Sequence, residues 1–162
     1  MIDVLENWRK KSGSEHAVKV EWIIRRALRT LIKAGHPAAL RLIGVSRDAQ
    51  LKFTGLKISR KTFTLGERVE FEFKIRSLSV KSQRIVVDYI VHFMKANQST
   101  SPKVFKLKTM VLPADGEVLI AKSHHLKKVT TRTHYPGLHR IEIQVNGRVL
   151  GQVQWRLTGE TS

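Results

Sequence analysis

Basic side chains are the residues of this sequence whose types and spacing could do chemistry. Arg25, Arg29 and Lys33 recur at i, i+4 and i+8, so on a helix they form one stripe, with Arg26 beside it. The segment SHHLKKVTTRTHYPG concentrates Lys127, Lys128, Arg132 and His134, with Thr130, Thr131 and Thr133 as further donors. A third set, Lys95, Lys103, Lys106 and Lys108, lies in KANQSTSPKVFKLK. Cations interleaved with hydroxyl and amide donors are what phosphate contacts require. The helical stripe would serve equally as a solvated face, and the residues alone leave that open. So many bonding side chains in one short loop exceed what solubility needs, and they point to contact with DNA or RNA. No aromatic-rich platform, RRM or zinc-finger signature accompanies them, so base readout is not supported.

Other chemistries find little to work with. There is no cysteine, and hence no thiol nucleophile, thiolate metal site or disulfide framework. No GxSxG elbow and no glycine-rich phosphate loop occurs, and the acids are scattered along outward-facing positions. His124, His125, His134 and His139 crowd one region without an acidic ligand at metal spacing, and Lys127, Lys128 and Arg132 would repel a metal ion there. His139, in an inward register, reads as a hydrogen-bonded core histidine. We therefore expect no catalytic residue, no metal and no cofactor.

The whole-chain charge agrees with the local pattern. Thirty Lys and Arg against 13 Asp and Glu leave a formal +17 over 162 residues. A polyanion would relieve that self-repulsion and gain affinity by counterion release; nucleic acid is the simplest such partner, an anionic membrane surface the other. No apolar run is long enough to cross a bilayer, and MIDVLENWRKK lacks a signal core, so a cytoplasmic, membrane-free protein is expected.

The periodicity places these residues on elements. Ile2, Leu5 and Trp8 mark a short amphipathic helix, closing against the next one. Ser12 and Glu15 form a capping-box pattern opening a helix from about Glu15 to Lys33, with Val20, Ile23, Ile24, Ala27, Leu28 and Leu31 on its apolar face. Trp22 falls among the arginines. Burial against another helix outside this hairpin is its favoured reading, ahead of nucleotide stacking or a cation–π contact. Gly35 suits a left-handed C′ position and Pro37 the first turn of a further helix, with Ala39, Leu40 and Ile43 inward. From about Gln50 the period changes to two. Strands follow at Leu51–Ile58 with a bulge at Gly55, then RVEFEFKIRS, the doubly apolar RIVVDYIVHFM, KVFKLKTMVL and EVLIAK. KVFKLKTMVL is expected to turn Phe105, Leu107 and Val111 to one side and Lys106 and Lys108 to the other. Asn146-Gly147, between His139–Val145 and Val149–Leu157, predicts a type I′ hairpin. Tyr135, just before that hairpin, resembles the tyrosine corner of immunoglobulin-like sandwiches. The class is α+β, mainly β: a helical hairpin over 1–45, then an antiparallel β-sandwich over 49–159, the two in contact.

At this level the chain resembles a family. EWIIRRALRTLIKAGHPAALRLIG is similar to the final repeat of the HEAT-like-repeat DNA alkylation repair proteins, the alkylpurine DNA glycosylases. VDYIVHFMKANQSTSPKVFKLK and HYPGLHRIEIQVNGRVLG resemble the immunoglobulin-like C-terminal domain of the AlkC-type branch. The resemblance implies double-stranded DNA as partner, held by its phosphate backbone at Arg25, Arg26, Arg29 and the sandwich loops. It also implies that the catalytic acid and aromatic residues lie in earlier repeats, so that no catalytic residue carries over. The chain is then expected to be the C-terminal part of such a glycosylase, binding without cutting, and to pack against the upstream helical repeats. The alternative is a structural or protein-interaction module that caps a helical solenoid without touching nucleic acid.

Overall fold

In a computed structural model the described residues are 1–128, 130 and 133–159. Among them the chain forms four helices and then eight strands, α1 (Ile2–Lys11), α2 (Ala17–Ala27), α3 (Arg29–Lys33), α4 (Pro37–Leu42), β1 (Leu51–Ile58), β2 (Thr62–Phe63), β3 (Arg68–Ser77), β4 (Gln83–Met94), β5 (Thr100–Leu112), β6 (Glu117–His125), β7 (Gly137–Val145) and β8 (Arg148–Leu157). The class is α+β and mainly β, as the change of period predicts.

The strands make two sheets, ordered β1-β3-β6 and β2-β8-β7-β4-β5. All pairings are antiparallel except the two-residue β2, which runs parallel to β8. Alternation sorts the side chains: Val69, Phe71, Phe73 and Ile75 of β3 meet Ile85, Val87, Tyr89 and Val91 of β4 in the core between the sheets. Trp155 anchors one end, edge-on to Phe63 at 5.8 Å and stacked on His139 at 4.4 Å. The doubly apolar β4 lies between β7 and β5, and β5 is an outer strand carrying Pro102, Lys103, Lys106 and Lys108. Gly55, at φ 71°, sits where the β1–β3 register shifts, so the expected bulge is present.

Several local expectations need correction. The Glu15–Lys33 helix is two: Leu28, fully buried, leaves helical geometry at φ −92° and ψ 3° between α2 and α3. That break lets Ile32 reach a second cluster, Leu40, Ile43, Val45 and Val86, besides the one formed by Leu5, Ile24, Leu28, Ala39 and Leu42. Ser12 does not open a capping box. Its hydroxyl donates to the Arg9 carbonyl at the end of α1, and His16 precedes α2 without a side-chain cap. Trp8 is 51% exposed, because α1 is anchored through Leu5 alone among its fully buried residues. Ile23 and Ala27, placed on the buried face of α2, are exposed too. In β5 the register shifts opposite Val87/Asp88, which adds a residue and changes the facing side chains from Phe105 and Leu107 to Met110 and Leu112. Val111 is therefore exposed. Tyr135 is no tyrosine corner: it lies exposed, and its carbonyl, not its hydroxyl, accepts a hydrogen bond from His139 Nε2 at 3.0 Å.

The β7–β8 turn does more than reverse the chain. Asn146 and Gly147 have φ 49° and 79°, as a type I′ turn demands, and both press on the helical segment. Gly147 lies against Gly35, the left-handed residue after α3, so closely that a Cβ on Gly147 would stand 2.7 Å from the Gly35 Cα. Asn146 Oδ1 accepts from the Val86 amide at 2.8 Å, while Nδ2 donates to the Ser46 carbonyl at 2.7 Å. Gln144 donates to the Lys33 carbonyl and Arg84 to that of Ile43. These bonds set the helices on one end of the five-stranded sheet. Replacing Asn146 by alanine strands the Val86 amide and the Ser46 carbonyl and puts a non-glycine residue without a local bond in a left-handed turn. We expect a loss of about 2 kcal/mol, read as a lower urea midpoint with unchanged slope.

Candidate nucleic-acid interface

The docking at Gly35–Gly147 lays α2 and α3 beside the β4–β5 edge, and a groove of about 560 Å³ opens between them. Its helical wall is Trp22, Arg25, Arg26, Arg29 and Lys33; its sheet wall includes Lys103 and Lys106; Val86 and Asp88 of β4 lie at its base. Two basic sets far apart in sequence, Arg25 to Lys33 and Lys103 to Lys106, thus face one space. Six cations share it with a single acid.

Each wall holds its charges in a particular way. Arg25 is tied to Glu21 one turn back at 3.2 Å, which steadies the guanidinium at a small energetic gain. Arg26 lies over the Trp22 ring with its guanidinium carbon 5.3 Å from the centroid. Trp22 itself is 60% exposed among the described residues, the burial expected of it being against a helix outside this hairpin, and the cation–π contact is present. On the sheet side the Lys103 ammonium sits 5.3 Å from the Phe105 centroid. Lys106 stands opposite Asp88 in the β4–β5 ladder.

Asp88 is the residue that sequence reasoning passed over. It is only 5% exposed, and burial pushes its carboxyl up from 3.8 to about 6, against the opposing pull of Lys106 and Lys33. A signal was available: an acid in the middle of the doubly apolar RIVVDYIVHFM has no solvated face to occupy. A second cluster, on the same face of β4 and β7, also went unread. There Glu142 meets His92 Nε2 at 3.0 Å and Arg140 Nε at 3.1 Å, all three half-buried.

The remaining predicted contacts lie apart from the groove. Lys108 is exposed just beyond the β5 register shift and does not line it. Lys127 and Lys128 are exposed on the segment after β6. The Lys127 carbonyl accepts from His134, whose ring packs on Phe93, while the helices dock at Val86, seven residues and roughly 23 Å back along β4. Arg132 falls outside the described residues. The histidines considered as ligands serve separate partners: His124 Nδ1 meets the Tyr89 hydroxyl at 3.1 Å, and His125 Nε2 donates to the Gly66 carbonyl. His139 is fully buried and hydrogen-bonded, as its register predicts, and burial lowers its pKa although the bond to Tyr135 opposes that.

Comparison with known proteins agrees with this architecture. The solved structure of Pseudomonas fluorescens alkylpurine DNA glycosylase AlkC bound to DNA containing an abasic site analog superposes with a TM-score of 0.89 at 36% identity, over 97% of this chain and 42% of that one. The uncharacterized protein YhaZ of Bacillus subtilis (strain 168) is 31% identical over 137 residues, 85% of this chain and 38% of that protein. This chain therefore spans about two fifths of the length of each. A β-glucosidase from Listeria innocua matches at TM-score 0.58 but 16% identity, which speaks to the fold alone. The family model for the C-terminal Ig-like domain of YhaZ matches residues 52–159, and on that match, over most of its 162 residues, the chain belongs to the YhaZ C-terminal Ig-like domain family.

Proposed function

We propose that this chain is a DNA-binding portion of an alkylation-repair protein and holds duplex phosphates with the cations of the α2–α3/β5 groove. The observation that carries this reading is the convergence of Arg25, Arg26, Arg29 and Lys33 with Lys103 and Lys106 on one groove. Surface cations placed for solubility alone would be spread with acids between them. The similarity to a DNA-bound glycosylase supports the same partner. Lys108, Lys127 and Lys128 extend the contact along the backbone outside the groove, and Arg132 is a further phosphate contact in this reading. Base excision is assigned to the part of the longer relatives that this chain does not span, so the chain alone releases no base.

The test is a titration against duplex DNA at several salt concentrations. Binding should be sequence-independent and fall steeply with salt. Replacing Lys33, Lys103 and Lys106 together by alanine should reduce the log–log salt slope by about 2.7 and weaken binding roughly five-hundred-fold near 0.1 M salt. Binding that ignores salt, or a triple variant with wild-type affinity, would overturn the groove as the contact. Replacing Lys127 and Lys128 tests the distal segment separately.

A second reading draws on a different surface. Val4, Trp8, Val18 and Ile23 are exposed on α1 and α2. Apolar side chains so placed fit packing against further helices of a longer protein, the arrangement of a module that caps a helical solenoid. The two readings share one chain without conflict, since the apolar residues and the groove cations are different side chains.

A further inference from the structure

Asp88 is unlike anything else in the groove. Its side chain is only 5% exposed, it lines the groove, and its carboxylate accepts no hydrogen bond among the described residues. Lys106 of β5 and Lys33 of α3 act on it only through space. From β7 it is faced by Gln144, whose amide is turned to the Lys33 carbonyl. The carboxylate oxygens open onto the groove, so a donor that enters it can reach them, and a hydrogen bond to a charged acceptor is among the stronger ones. The groove therefore presents two unmet demands: cations on its walls for an anion, and a carboxylate at its base for a hydrogen-bond donor.

A DNA backbone answers only the first. Phosphodiester oxygens accept and do not donate, and a deoxyribose within a chain carries no hydroxyl. In a paired duplex the Watson–Crick donors are committed to the other strand, and the amine protons left over lie on the floors of the duplex grooves, out of reach of a carboxylate recessed at the base of this one. An unpaired base frees one: the exocyclic amine of adenine or cytosine, the ring N–H of guanine or thymine. The groove volume of about 560 Å³ lies in the ordinary range for small-ligand pockets, about 300–1,000 Å³. Trp22 lines the same space with much of its ring exposed, and bases stack on such rings without regard to sequence.

We propose that the groove is a subsite for one unpaired nucleotide of the bound DNA, with Asp88 accepting from the base and Lys33 and Lys106 holding the adjoining phosphates. This rests on the DNA-binding reading and adds to it a preference for a particular DNA structure. No bond is made or broken.

The test uses two fluorescent duplexes of equal charge, each with a one-nucleotide bulge, the bulged residue being thymidine in one and abasic in the other. The chain should bind the thymidine bulge about ten-fold more tightly, the scale of one charge-assisted hydrogen bond. In D88A that ratio should fall to about one. D88N, which keeps the shape and removes the charge, should bind the abasic probe more tightly than wild type does while showing a reduced ratio. Equal affinity of wild type for both probes, or a ten-fold preference that survives in D88A, overturns the subsite and leaves DNA binding standing. Failure to bind either probe overturns both.

Discussion

Replacing Gly147 by valine should lower stability by about 4 kcal/mol and separate the helices from the sandwich. Two independent costs add. The residue has φ +79°, where an L side chain costs about 1–2 kcal/mol and a β-branched one sits at the upper end. A Cβ there would also stand 2.7 Å from the Gly35 Cα, 2.8 Å from its carbonyl oxygen and 3.0 Å from Leu40 Cδ1. Two of those atoms are backbone and cannot turn aside, so the overpacking falls on the seam itself, at about 1–3 kcal/mol. Gly44 is the internal control: its φ is +76°, but a Cβ on it would meet nothing within 4 Å. Valine at Gly44 should therefore cost the conformational part alone. Urea midpoints of the two variants measure the difference, and equal shifts would mean that the glycine contact does not hold the seam. Gly147→Val should also lose the groove-dependent part of DNA affinity, because one wall no longer faces the other.

Asp88→Asn should have an effect nearly as large and with a pH signature. An acid whose folded pKa is raised from 3.8 to about 6 takes up its proton more readily when folded than when unfolded. The protonated form carries no penalty, so the cost is absent below about pH 3.8, grows as pH rises through 6, and is complete above it. At 1.36 kcal/mol per unit the full cost is about 3 kcal/mol. The stability of D88N relative to wild type should thus rise by about 3 kcal/mol between pH 4 and pH 7.5. In melting temperature that is on the order of 5–10 °C for a chain of this size. Comparing the variants at each pH cancels the titration of every other carboxylate. A gap that stays constant with pH would mean that Asp88 is solvated. Burial is the dominant cause; Lys106 and Lys33 reduce it, so neutralising them with a polyanion should raise the carboxyl further.

Where backbone chemistry is local, the sequence is a reliable guide to this fold. Gly35, Gly55 and the Asn146-Gly147 pair are positions where φ must be positive, and all four have it. Pro37 opens α4, and the clean alternation of RVEFEFKIRS puts each apolar residue of β3 inside. What failed depended on partners far along the chain. Leu28 interrupts a regular helical pattern and Ile32 beyond it packs against the cluster that includes Val86 of the sandwich, and no periodicity within the helix records either. The side change in β5 comes from a register shift against β4, which the alternation of β5 alone cannot show. Ser12 and Glu15 fit a cap motif, but the preceding helix claims the serine first. At the site the basic residues were legible one stripe at a time. Their convergence was not, because it is produced by the Gly35–Gly147 contact. Asp88 was visible as an anomaly in an apolar strand, yet its meaning depends on which cations the docking brings over it.

The position of β5 has a consequence of another kind. It is an outermost strand, thirteen residues long, and the outer strand of a sheet offers its unused amides and carbonyls to any second strand that comes alongside. Pro102 removes one of those donors, and Lys103, Lys106 and Lys108 load the rim with like charge, so a second copy approaching edge to edge meets repulsion before it meets hydrogen bonds. The lysines offered to a nucleic acid are thus also the protein's guard against joining sheets with itself. Any substitution that removes them to weaken DNA contact also lifts that guard, and self-association will rise as the charge falls.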